Sequence, residues 1–137
     1  MQLLLTTALS LHVLASVFWA GSTFALARTG GAQAAKLFAP QMGAFAVALL
    51  SGAYLWHAVH GGVFGTTEKL LATGALCALA AAAGQATMVG SAIAKLRRAQ
   101  NEAAAQCYSS RAATAHRIAA VLLAVAAICM AASRYGL

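Results

Sequence analysis

The stretch LLLTTALSLHVLASVFWAGSTFALA, residues 3–27, decides the fold. It contains no Asp, Glu, Lys or Arg. A helix needs about 20 mainly apolar residues to cross the roughly 30 Å hydrocarbon core of a bilayer. In lipid every backbone N–H and C=O must be paired within the protein, and a helix does this alone. Ala25-Leu26-Ala27 looks like a signal-peptidase site. However, no basic segment precedes the stretch, and His12 and Trp19 interrupt its apolar run, so it is expected to stay as a helix of the mature protein.

The same pattern recurs downstream. Spans are expected at about 40–60, 69–94 and 112–133, which gives one domain and an all-α, four-transmembrane-helix bundle. Composition agrees: 62% of the 137 residues are hydrophobic and 8% charged, against about 25% charged in soluble domains. Gly30, Gly31 and Pro40 punctuate the first connection, and residues 33–38 are expected to form a short interfacial helix. Pro40 is expected in the first turn of the second span, where its missing N–H does no harm. Gly61 and Gly62 end that span. Gly65-Thr66-Thr67-Glu68 reads as a turn into a Thr N-cap, with Glu68 in the first turn facing the positive end of the helix dipole. The basic stretch 95–111 is expected to prolong the third helix beyond the membrane.

Nine Lys and Arg stand against two acids, for a formal charge of +7. The basic residues fall between apolar runs and act as topology signals, so no nucleic-acid partner is expected. Arg28 and Lys36 occupy the first connection; Lys95, Arg97, Arg98 and Arg111 occupy the third, with Arg117 nearby. The other side has only Lys69 and Arg134. Positive loops remain cytoplasmic, so both termini are expected outside, in the periplasm of a multi-pass inner-membrane protein. Gly74, Gly84 and Gly90 lie among the alanines of the third span and would allow close helix packing, including between copies of the chain.

Ionisable groups within a membrane mark functional sites. The chain has four histidines: His12, His57, His60 and His116. His12 lies roughly 13 Å into the first span at 1.5 Å per residue. His57 and His60, three apart, share a face near the outer end of the second span. His116, beside Arg117 near the basic end of the fourth, is expected at the interface. His12 and His57 both fall in the outer half of the bundle, which suits two axial haem ligands. Trp19, two turns below His12, would floor such a pocket. Lys69 would reach a haem propionate, or simply extend to the interface. Tyr54 and Trp56 suit an aromatic belt. Gln85, in mid-span, is expected to hydrogen-bond to a neighbouring helix.

Copper is the alternative: Cys77 and Cys129 with His12 and His57 would offer a soft ligand set. The three cysteines, Cys77, Cys107 and Cys129, form no Cys-x-x-Cys pair and read otherwise as small packing residues. A structural or assembly subunit is the third reading. No phosphate-binding loop, nucleophile elbow or His-Glu-x-x-His motif is present. Both acids, Glu68 and Glu102, lie outside the apolar spans, which argues against a carboxylate proton relay.

Leu11-His12, Trp19, Gly21 and Phe24 form the pattern L-H-x6-W-x-G-x2-F. This resembles the opening helix of small bacterial membrane proteins that include the copper-resistance-D (CopD) and HemJ families. Residues 65–71 with the helix that follows resemble the CopD-type third helix, and Arg97-Arg98 its basic end. The resemblance covers the four-span layout, and specific residues in the first span only. From HemJ it implies a haem-ligating His12 and a haem-dependent membrane oxidoreductase; from CopD it implies copper handling. Ala25-Leu26-Ala27-Arg28 stands where the HemJ pattern has Leu-Pro-Arg. The expected function is therefore a b-type haem protein working with a redox partner, with copper binding or passage as the alternative.

Overall fold

The computed structural model describes residues 1–31, 33–59, 62 and 65–135. Among them every regular element is helical. The elements are α1 (Gln2–Arg28), α2 (Ala34–Val59), α3 (Thr66–Gly84), a π-helical turn (Gln85–Val89), α4 (Gly90–Leu96) and α5 (Glu102–Ser133). α3, the π turn and α4 run on as one long helix, Thr66–Leu96. With α1, α2 and α5 it gives four helices long and apolar enough to cross a membrane. The chain is thus an all-helical, multi-pass membrane protein.

The helix ends have local causes. α1 stops at a Schellman turn, in which Gly31 N–H bonds to the Leu26 carbonyl at 3.0 Å. Gly30 and Gly31 take φ of 68° and 76° there, a region costly for side chains bearing a Cβ. The turn docks on α5 through Ser109 Oγ, which donates to the Gly30 carbonyl at 3.2 Å. A Cβ at Gly31 would lie 3.3 Å from the Ser109 carbonyl oxygen, so glycine is required for the contact as well as for the turn.

Three boundaries differ from expectation. The separate interfacial helix at 33–38 is absorbed into α2, which begins at Ala34 and places Pro40 inside the helix rather than in its first turn. The Lys36 carbonyl, four residues back, thereby loses its usual i+4 donor. The third helix gives way to a turn after Leu96 and does not continue through the basic stretch. Helix resumes at Glu102, where Asn101 caps α5 by accepting Ala104 N–H at 2.8 Å. The polar extension therefore belongs to the fourth helix. The cap of α3 is Gly65 and not a threonine: Glu68 Oε2 reaches back to accept Gly65 N–H at 2.8 Å, the acidic half of a capping box.

α1 packs against α2 and α5, and α5 packs against α3. α2 meets the third helix mainly through the π turn and α4. Buried side chains concentrate toward the end of the bundle that carries Arg28, Lys36 and Lys95–Arg98, called the basic face below. Two apolar clusters fill that region. One is built on Leu26, Val89, Ile93 and Ala112, the other on Trp19, Ala81, Ala119 and Leu123. Alanine dominates because small side chains let helices approach closely where lipid gives no hydrophobic drive. Gly74 works in the same way: a Cβ there would sit 3.1 Å from the Ala126 carbonyl oxygen on α5. Gly90 lies beneath Phe38 of α2, at 3.4 Å from the position of a Cβ. Both glycines are thus used inside the bundle, whereas a Cβ at Gly84 would meet nothing within 4 Å.

Candidate functional site

Two places in the bundle hold polar groups where lipid-facing helices normally have none. The first is His12, half-buried where α1 crosses α2. Its Nδ1 lies 2.8 Å from the Ala48 carbonyl oxygen and 3.4 Å from Ser51 Oγ. A carbonyl only accepts, so Nδ1 must carry the proton. Ser51 Oγ, 2.6 Å from the Val47 carbonyl oxygen, spends its own proton there. With Nδ1–H committed to the carbonyl, the lone pair of the neutral form of the ring falls on Nε2. Gly52 makes room for it: a Cβ there would come within 2.9 Å of His12 Cε1. This is the arrangement commonly found behind a metal-bound imidazole, where a carbonyl that accepts from the other ring nitrogen fixes the tautomer and the ring plane.

His57 is exposed, in the last turn of α2. It follows Gly52 by five residues, and that spacing turns it about 140° around the helix at 3.6 residues per turn. His12 and His57 consequently do not face each other across the α1–α2 contact. His60 lies outside the described residues. Lys69 is exposed in the first turn of α3, at the end of the bundle opposite the basic face. Cys77 and Cys129 are half-buried free thiols on α3 and α5, helices that pack on one another, whereas His12 packs on α2. Among the described residues no three His, Cys, Asp or Glu side chains gather as a metal-binding group.

The second place lies deeper, toward the basic face, where the third helix widens into its π turn. Thr23, Gln41, Gln85 and His116 are each 0% exposed there, and Trp19 is 3% exposed. Their protons can be assigned one by one. Indole N–H only donates, so Trp19 Nε1–H, 2.7 Å away, fixes Gln85 Oε1 as its acceptor. The Gln85 amide nitrogen then donates to Thr23 Oγ1 at 2.8 Å and points at His116 Nδ1 at 3.4 Å. The Thr23 and Ser22 hydroxyls both donate to the Trp19 carbonyl, at 2.7 and 3.1 Å. Each can only accept from elsewhere, so Gln41 presents Nε2 to them, at 3.1 Å from Ser22 Oγ and 3.2 Å from Thr23 Oγ1.

This cluster corrects one expectation and meets another. His116 is not at an interface; its ring is enclosed by the bundle. Gln85 does bond to a neighbouring helix, α1. Trp19 reaches Gln85 across the bundle and tilts against Phe45 of α2, with ring centroids 5.1 Å apart. Gln41 was the residue missed. The signal for it was available, because Gln41 and Gln85 are the two amide side chains within the apolar spans expected at 40–60 and 69–94. π-helical turns tend to occur at functional sites, and this one begins at the residue that organises the cluster.

The chain matches no protein-family model, no curated protein and no solved structure.

Proposed function

We propose that the chain is a membrane-embedded b-type haem protein in which His12 supplies the axial imidazole, for electron transfer or a membrane redox reaction. The observation that carries this reading is the tautomer of His12. Its Nδ1–H is engaged by the Ala48 carbonyl, so Nε2 offers a lone pair from a ring already oriented by backbone. An isolated imidazole within an apolar helix is expensive unless it has such a task.

The geometry favours one protein ligand rather than two. His57 stands on another face of α2, so a second imidazole from across the α1–α2 contact is not part of the proposal. The haem would supply the one-electron chemistry. The residues of this chain would orient the ligand, keep the surroundings apolar and exclude water. Lys69 lies at the same end of the bundle as His12 and would pair with a propionate near the surface. The basic residues concentrate on the opposite face, which would be cytoplasmic, with both termini in the periplasm of an inner membrane.

The test is the haem content of detergent-purified protein from haem-replete cells. A pyridine haemochrome assay should give haem b at about one per chain, the stoichiometry set by one axial ligand per bundle. Protein purified without haem, and not binding added haemin, would overturn the proposal.

A further inference from the structure

The hydrogen-bond assignments around Gln85 leave two polar atoms with no partner among the described residues: Gln41 Oε1 and His116 Nε2. Their characters follow from the network. His116 Nδ1 faces an amide donor and must accept, so the proton of the ring is on Nε2, an unmet donor. Gln41 spends its amino group on Ser22 and Thr23, so its Oε1 is an unmet acceptor. A buried group left unpaired costs about 1–3 kcal/mol.

One donor and one acceptor belong to the same cluster, joined through Thr23 and Gln85. No charged side chain takes part. A metal cation would be repelled by the His116 N–H, and an anion by the Gln41 carbonyl. The matching guest is neutral, and both donates and accepts. It is also small: on α5 His116 is flanked by Ala112, Ala113, Ala115, Ala119 and Ala120, so methyl groups line its helix face. We propose that this cluster is an internal water site, in which bound water accepts from His116 Nε2–H and donates to Gln41 Oε1. Buried waters characteristically satisfy such pairs, with about three hydrogen bonds each. This water site is independent of any cofactor at His12.

The experiment is nitrogen-15 NMR of the intact protein, labelled at histidine, in detergent micelles. Only four histidines contribute, and the His116 signals are identified by their loss in His116→Gln. The expected result is a neutral ring protonated at Nε2, whose N–H shows cross-relaxation with water. A proton found on Nδ1, a doubly protonated ring at neutral pH, or an Nε2–H without contact to water would each overturn the assignment. The readout needs no haem, so it succeeds or fails apart from the function proposed for His12.

Discussion

Replacing His12 with alanine is expected to remove the Soret band of the purified protein, whereas His57→Ala should leave it in place. The contrast follows from the two environments. His12 is oriented by a 2.8 Å bond to the Ala48 carbonyl and lies over Gly52. His57 is exposed on another face of α2. Loss of the only protein ligand should lower haem affinity at least about tenfold, which corresponds to roughly 1.4 kcal/mol. The substitution removes a partly buried ring but leaves the core around Trp19 and Gln85 untouched, so the helical signal by circular dichroism should persist. Imidazole added to His12→Ala should restore part of the band, because the free base can occupy the position of the lost ring. A Soret band unchanged in His12→Ala, or one abolished by His57→Ala alone, would transfer the ligand role elsewhere.

Gln85→Leu is expected to be the most destabilising single substitution in the bundle interior. Leucine fills similar space but accepts nothing from Trp19 Nε1–H, donates nothing to Thr23 and gives His116 Nδ1 no partner. Trp19 is the largest of these losses, since its buried N–H has no alternative acceptor among the contacts of the cluster. The cost should be about 2–4 kcal/mol, near the upper range for single substitutions that break a buried polar network. Polar bonds between membrane helices often contribute less, averaging about 0.6 kcal/mol, because a helix separated within the bilayer finds other partners. The larger value is expected here because one amide serves three side chains on two helices. Reversible unfolding in mixed micelles, followed by tryptophan fluorescence, would measure the loss directly. A change below about 0.5 kcal/mol would place the cluster among ordinary interhelical contacts.

The four spans were legible because hydrophobicity over twenty residues is a strong, redundant signal. Glycine at 30 and 31 marked the first turn correctly, because positive φ leaves few other residues available. The interhelical bond of Gln85 was legible for the same reason as the spans: an amide in lipid must find a partner. The orientation of His116 was not. In α5 five of the eight residues within four positions of it are alanine, so no stripe of large apolar side chains distinguishes an inner from an outer face. Position along the helix was readable, whereas rotation about its axis was not, and rotation decides whether a histidine meets lipid headgroups or a glutamine. Gln41 was hidden by the boundary at Pro40. Once proline was placed in the first turn, the next residue looked like part of a helix end. With α2 beginning at Ala34, Gln41 lies two turns inside and packs against α1. The start of α5 was readable in principle from Asn101 and Glu102, a cap and an acid in the first turn.

His12 and His57 illustrate a different limit. Depth placed both near one end of the bundle, and depth alone suggested a facing pair. A facing pair also requires matching rotation, and the five-residue step from Gly52 turns His57 away. The most direct test of the account is therefore the spin state of the iron, measured by electron paramagnetic resonance on the oxidised, detergent-purified protein. One imidazole from His12, with no second protein ligand, predicts a high-spin ferric signal that disappears in His12→Ala and is unaltered in His57→Ala. A low-spin signal of the bis-imidazole type, lost in His57→Ala, would contradict it.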